Sequence, residues 1–354
     1  FTTAPLLLAL AGLAAVVAAG LWAVPVWSQA RTPIIPVAAI KPGMRGYGLT
    51  VFRGETPERF DVEVIDVLHK FRPDQDLILI RTPHPLLNRA IAVGGMSGSP
   101  IFLDGKLAGA YAYGWTFGIE PVAGVTPIEN MLAELARPVD PQIWKALGVA
   151  SPLAQNRPPM PAPRPARLRR ASTLSPLERR NAFAALQAHR NDYAPVAAGS
   201  AGGRPVRVAT PLQLSGMTDA AAALLGRELG VFGLEPVQAS AGAAAPSGGR
   251  PPGRFLDGGS IGVQLVRGDI QATATGTVTY VEGPRLIGFG HPMLNAGQVG
   301  LPTCTSRVVH VFSSQMRSFK MAEAIEPLGT LIHDRQAAIV VDQDARAQML
   351  PMKI

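Results

Sequence analysis

Residues 94–115 read Gly-Gly-Met-Ser-Gly-Ser-Pro-Ile-Phe-Leu-Asp-Gly-Lys-Leu-Ala-Gly-Ala-Tyr-Ala-Tyr-Gly-Trp, and the fold is read outward from them. Ser97 stands between Gly95 and Gly98. Glycine tolerates the tight turns in which successive N–H groups stay open, because it has no Cβ to clash at positive φ. Open N–H groups can hold an oxyanion, so Ser97 is a candidate nucleophile, with the backbone N–H groups of Gly95 and Ser97 as candidate donors. After Pro100 come an apolar run, the hairpin-favouring pair Asp104-Gly105, and an alternating run from Leu107 to Trp115. The serine therefore precedes a β-hairpin. Asp104 is assigned to the turn, and Met96 and Trp115 are expected to pack a wall.

The flanking sequence continues in β pattern. Downstream, Val122–Pro127 reads as strand and turn, and Ile128, Met131, Leu132 and Leu135 recur at helical spacing. Upstream, Phe60–Leu68 alternates with period two, with Val62, Val64 and Asp66 on one side, and residues 76–81 form a more buried strand. A mostly β domain with a closing helix is expected over residues 36–140.

A strand–helix segment is expected over residues 206–238, where Thr218-Asp219 caps an alanine-rich helix that Gly230 stops. A Gly/Ala/Ser/Pro loop over residues 239–254 has nothing to bury and is expected to be disordered. From residue 255 to 354 the pattern is β again, with strands at 261–266, 270–281, 286–290, 308–312 and 337–341. The fold class is thus mainly β with few helices, as two β-rich units joined by a linker. There is no short-period repeat.

The chain has 354 residues, 47% of them apolar, and a net charge of +8. The excess charge is concentrated in the linker, residues 141–205, where eight arginines between Arg157 and Arg190 face one acid, Glu178. Five prolines between Pro158 and Pro165 make that segment a semi-rigid exposed spacer. A folded nucleic-acid groove is not expected, although a basic spacer can touch anionic lipid. Pro176–Arg190 has the pattern of a short basic helix.

Cys304 is the single cysteine, which excludes an internal disulfide framework and zinc-type cysteine spacing; no metal or cofactor is expected. Residues 4–27 are apolar and uncharged, and Ser28-Gln29-Ala30 follows with small residues at signal-peptidase positions. Residues 1–30 are expected to be an export signal, removed or kept as a membrane anchor facing out of the cytoplasm. The sequence starts at Phe1 and stops in a β pattern, so truncation at both ends is expected.

The order Gly95 to Pro100, Asp104-Gly105, Leu107-Ala108-Gly109, Tyr113-Gly114 and Gly124-Val125-Thr126 resembles the serine segment of trypsin-like peptidases. A closer resemblance is to the SpoIVB-type serine peptidases of bacterial sporulation, which carry Gly-Met-Ser-Gly-Ser-Pro followed by a Gly-Lys-x-x-Gly-Ala strand. Gly95–Pro100 and Gly105–Ala110 reproduce both. In that family the general base is a histidine after a Gly-Thr-x-Thr-Tyr/Phe strand and a hairpin. Gly276–Tyr280 and Gly288-Phe289-Gly290-His291 are similar to that segment. The resemblance covers roughly residues 40–135 and 260–341. It implies a trypsin-like β-barrel architecture, a protein or peptide substrate, Ser97 as nucleophile and His291 as base.

Two departures stand out. The family places its histidine segment before the serine segment, whereas here Ser97 comes first. A triad is defined by position in space, so the exchange is compatible with the chemistry. The family's orienting acid also precedes a proline ahead of the serine, and Thr82 stands at that position. Asp66, Asp76 and Asp334 are the candidate replacements, and a Ser–His dyad without an acid is the alternative. Loss of the acid also suits a non-catalytic binding or scaffolding module of the cell envelope. Of the other histidines, His69, His84 and His189 are expected in exposed segments and His310 on a strand face; His333 is left open.

Overall fold

The computed structural model describes residues 32–115, 118–142, 205–239, 253–314 and 317–352. The expected signal segment, the linker with its short helix at 176–190 and nearly all of the 239–254 loop lie outside them. Residues 33–354 group as one compact unit. Among the described residues no helix is long and apolar enough to cross a membrane.

The first half supplies β1 (Arg45–Thr50), β2 (Glu58–Arg72), β3 (Gln75–Arg81), helix α1 (Leu87–Ala90), β4 (Val93–Gly94), β5 (Pro100–Leu103), β6 (Lys106–Gly114), β7 (Val122–Pro127) and helix α2 (Ile128–Leu135). Strands pair in the order β5-β1-β2-β3-β7-β6, and β5 also pairs β6, which closes a six-stranded antiparallel barrel. The alternating apolar residues of these strands supply its core, including Phe60, Val62, Val64, Ile78, Ile80 and Tyr111. Each aliphatic or Phe side chain fully buried there contributes about 1.5–3 kcal/mol. The alternation in β2 breaks at a bulge between Val64 and Asp66, so Asp66 is exposed and does not share the buried face of Val62 and Val64.

The second half supplies β8 (Val206–Arg207), β9 (Thr210–Ser215), helix α3 (Asp219–Gly230), β10 (Leu234–Gln238), β11 (Ser260–Val266), β12 (Gln271–Glu282), β13 (Arg285–Gly288), β14 (Gly297–Phe312), β15 (Ser318–Arg335) and β16 (Ala338–Asp342). Here the order β12-β11-β14-β15-β16-β13 closes through a β12–β13 pairing into a second antiparallel barrel of six strands. The two barrels have the same connectivity: in each, the first strand lies between the second and fourth, and the last between the third and fifth. The mainly β, trypsin-like architecture is the one observed.

Residues 206–238, expected as a separate segment, are shared out between the barrels. β8 pairs antiparallel with β6 of the first, while β9 and β10 extend the sheet of the second through β12. The Thr218 hydroxyl accepts from the Ala221 N–H at 3.3 Å and caps α3 as its sequence implies. The barrels are joined by an apolar seam in which Phe102, Leu107, Ala110 and α2 residues Ile128 and Met131 meet Ile287, Ile332 and Val340. β4 adds a second join by pairing in parallel with the start of β15.

Candidate active site

Gly95 and Gly98 take φ of +88° and +96°, as the turn requires. Its hydrogen bonds use the N–H groups of Met96, Gly98 and Ser99, which donate to Val93, Tyr111 and Met96 carbonyls. The second barrel grips the same turn. The Thr277 N–H donates to the Ser97 carbonyl at 2.9 Å, its hydroxyl donates to Gly95 at 2.9 Å, and the Thr279 hydroxyl donates to Gly98 at 2.7 Å. Gly98 is indispensable, since a Cβ there would lie 1.9 Å from the Thr277 carbonyl oxygen and 2.4 Å from the Phe289 nitrogen. Strand β12 of the histidine barrel is thus the wall against which the serine turn is formed.

His291 follows β13, in the segment that packs on the serine barrel. The Thr126 hydroxyl of β7 donates to the Gly290 carbonyl at 2.6 Å, and Gly290 lies against Ala110 and Ala112 of β6. The Pro292 carbonyl lies 2.9 Å from His291 Nδ1. A carbonyl can only accept, so this bond is made by a proton on Nδ1, and the Val208 backbone also acts on the ring. Among the described residues Nε2 and the Ser97 hydroxyl are both buried and meet no partner in good hydrogen-bond geometry. Burial pushes the imidazole down to about 3, helped by the Arg207 charge beside it, so it is neutral at physiological pH.

None of the three candidate acids bonds to His291. The Asp66 carboxylate accepts from the neighbouring Val67 N–H. Asp76 accepts from His69 Nδ1 at 2.9 Å and from the Lys70 N–H at 2.8 Å, locking the β2–β3 hairpin. Asp334 is fully buried and accepts the N–H groups of Met293, Leu294 and Ala296, so it pins the turn that leaves His291. Burial raises its carboxyl above the usual range against those three bonds. The group at His291 Nδ1 is thus a neutral peptide carbonyl and not a carboxylate, and Thr82 spends its hydroxyl on the Pro121 carbonyl at 3.1 Å.

Two features escaped the sequence reading. Lys320 of β15 is fully buried; its Nζ donates to the Thr50 hydroxyl at 2.7 Å and to the Thr277 hydroxyl at 3.4 Å. Strand β8 forms a strap along the end of β6. Tyr113 and Gly114 of β6 pair with Arg207 and Val206, and the Val208 N–H donates to the Ala112 carbonyl at 2.9 Å. Arg207 Nη1 reaches the Pro292 carbonyl at 3.4 Å. A cleft of about 220 Å³ opens beside the strap, with Ile91, Gly94, Gly114 and Trp115 on its serine-barrel side.

Two antiparallel six-stranded barrels, with a Gly-x-Ser-Gly turn entering the fourth strand of one and a neutral histidine leaving the third strand of the other, define a trypsin-like serine peptidase architecture. Residues 26–132, under a third of the chain, match the SpoIVB peptidase S55 family, so the serine-bearing barrel is similar to that family of serine peptidases. The match stops at residue 132, ahead of the histidine barrel. No curated protein and no solved structure matches the chain.

Proposed function

We propose that the protein is an exported serine endopeptidase in which Ser97 attacks a peptide carbonyl and His291 Nε2 takes its proton. The N–H groups of Gly95 and Ser97 hold the tetrahedral oxyanion. The proton then passes from the imidazolium to the leaving amine, and water hydrolyses the acyl-enzyme. The observation that carries this reading is the three-point grip of Thr277 and Thr279 on the Gly95–Gly98 turn, which seats the serine motif against the strand that leads to His291. Among the described residues neither functional atom meets a partner in good hydrogen-bond geometry, as expected of atoms reserved for a substrate. Residues 4–27 direct export or anchor the protein at a membrane.

The test is labelling by a fluorophosphonate, which modifies an activated serine. Ser97 is buried and residues 206–208 pair with β6 close to the serine turn, so the wild type is compared with Val208→Pro, which lacks the N–H that ties this segment to Ala112. The expected result is labelling that Ser97→Ala abolishes without loss of fold. No labelling of either folded protein would refute the reading.

The second reading, a non-catalytic envelope module that keeps the peptidase fold, is favoured by Thr82 and by the carbonyl in place of an acid at His291 Nδ1. It expects Ser97→Ala to leave the cellular phenotype intact. Loss of the phenotype with fold preserved would sink it.

A further inference from the structure

Lys320 is a costly residue to keep where it is. Its side chain has no exposed surface, and among the described residues no carboxylate acts on it. A buried ammonium without a counter-charge is unfavourable by several kcal/mol, and a protein in such a position commonly loses the proton or replaces the residue. Among the described residues its hydrogen-bond partners are two threonine hydroxyls. Thr50 ends β1 of the first barrel, Thr277 belongs to β12 of the second, and Gly95 lies against the stem. From β9, Gln213 Nε2 donates to the Lys320 carbonyl at 2.8 Å, and from β14 the paired residue is Val311. None of these is charged. β4, which pairs with the preceding residues of β15, contributes Val93 and Gly94.

The position of the amine relative to the serine turn is specific. A Cβ on Gly95 would sit 3.2 Å from Lys320 Cβ and 3.3 Å from Cδ, so the aliphatic stem is packed against the residue proposed to supply an oxyanion donor. The head group reaches Thr277, the same residue that donates to the carbonyls of Ser97 and Gly95. Nζ–H to the Thr277 hydroxyl, and that hydroxyl to the Gly95 carbonyl, form a chain of two donors running into the turn. Hydrogen bonds in such a chain polarise one another in a low-dielectric interior.

We propose that Lys320 is a positioning residue for Ser97: its ammonium, acting through Thr277, orders the Gly95–Ser97 turn and supplies positive charge next to the site where the oxyanion develops. The proposal rests on Ser97 being the nucleophile. A cation there stabilises the transition state more than the neutral ground state, because only the former carries the negative oxygen. Burial brings the amine down to about 7, so its charge is present below that pH and is lost as pH rises through it.

The test compares the full-length wild type with Lys320→Met and Lys320→Arg for fluorophosphonate labelling rate, melting temperature and pH dependence. Lys320→Met should label roughly tenfold more slowly or worse while melting no lower than the wild type, since it removes a buried charge. Lys320→Arg should restore labelling. His291 stays neutral across the range, so the wild-type rate should fall above about pH 7, and that fall should be absent in Lys320→Arg, whose guanidinium does not titrate.

Equal labelling of Lys320→Met and wild type would overturn the proposal. So would a wild-type rate that rises through pH 7 and is lost in Lys320→Arg, which would make the neutral amine a base. If Arg does not fold in this space, the pH profiles of wild type and Met alone decide, because only the wild type should show the fall. Failure of the underlying reading is distinguishable, since a protein whose Ser97 is not the nucleophile is not labelled through Ser97 in any variant.

Discussion

Gly98→Ala tests the joint between the barrels at its tightest point. The new methyl would occupy space 1.9 Å from the Thr277 carbonyl oxygen and 2.4 Å from the Phe289 nitrogen, two atoms already bonded to each other at 3.2 Å. The clash is with backbone on both sides, so no side chain can swing away. Overpacking of this kind costs about 1–3 kcal/mol. Holding alanine at φ +96° adds strain of about 1–3 kcal/mol. Together these give about 2–6 kcal/mol, a large share of the roughly 5–15 kcal/mol that keeps a domain folded.

Gly105→Ala is the control, because Gly105 also has positive φ, +73°, but nothing lies within 4 Å of its would-be Cβ. It should cost only the conformational part, about 1–2 kcal/mol. Urea unfolding of both variants measures the difference, with the overpacking part, about 1–3 kcal/mol, expected in favour of Gly105→Ala. Fluorophosphonate labelling of folded Gly98→Ala should also be lost, since any relief of the clash moves Ser97 away from Thr277. Stabilities within about 0.5 kcal/mol of each other would show that the turn is not wedged between the barrels, and the account of the site would fall with it.

Two further outcomes are expected. Burial holds the Asp257 carboxyl up at about 6 against the bond it accepts from the Val281 N–H, so the folded state keeps a proton that the unfolded chain has released. Stability should therefore drop as pH rises from about 4 to 6, by about 3 kcal/mol at most, and Asp257→Asn should abolish that drop. Parallel pH dependences of the two proteins in urea melts would contradict this. Val208→Pro removes the strap's bond to Ala112, worth about 1 kcal/mol, and should speed Ser97 labelling roughly fivefold. An unchanged rate in a protein with an unchanged melting temperature would show that the strap does not cover the serine.

Local chemistry made part of this legible in the sequence. Gly95 and Gly98 announced a turn that only glycine can make, Asp104-Gly105 announced the hairpin, and Thr218 announced the start of α3. The histidine segment was readable from Gly288 and Gly290, the second of which leaves room for the packing on β6. Strands with regular alternation were readable too. β14 and β15 were not, because their pairing slips register between Gln298 and Leu301, between Pro302 and Ser306, and between Val308 and His310. Each slip restarts the period-two pattern, so a hairpin of 16 and 18 residues reads as fragments. The duplication of the barrel is likewise a likeness of connectivity, which leaves no trace at the level of residue spacing.

The site's supporting groups were hidden for a different reason. A carbonyl can replace the acid at His291 Nδ1 without any residue type changing, so Pro292 carried no signal. Lys320 lies in Ser318-Phe-Lys-Met-Ala322, where a single lysine on a strand ordinarily faces solvent. Its meaning depends on Thr50 and Thr277, 270 and 43 residues away in sequence. Asp334 was a reasonable candidate whose carboxylate turned out to be committed to the backbone just past the histidine.

The pairing of β8 with β6 also sets terms for any substrate. The outer edge of β6 at Ala112–Gly114 is a row of backbone groups suited to an extended peptide, and an uncovered edge of this kind invites association between molecules. Residues 206–208 already fill it, and they are joined by covalent chain to β9, which extends the sheet of the second barrel. A tethered segment competes at an effective concentration of the order of millimolar, whatever the amount of protein present. A free peptide pairing at that edge must exceed this local concentration or bind the neighbouring cleft strongly enough to offset it. Discrimination against weakly bound peptides is therefore a property of the chain's own connectivity, in force before any side chain of the substrate is read.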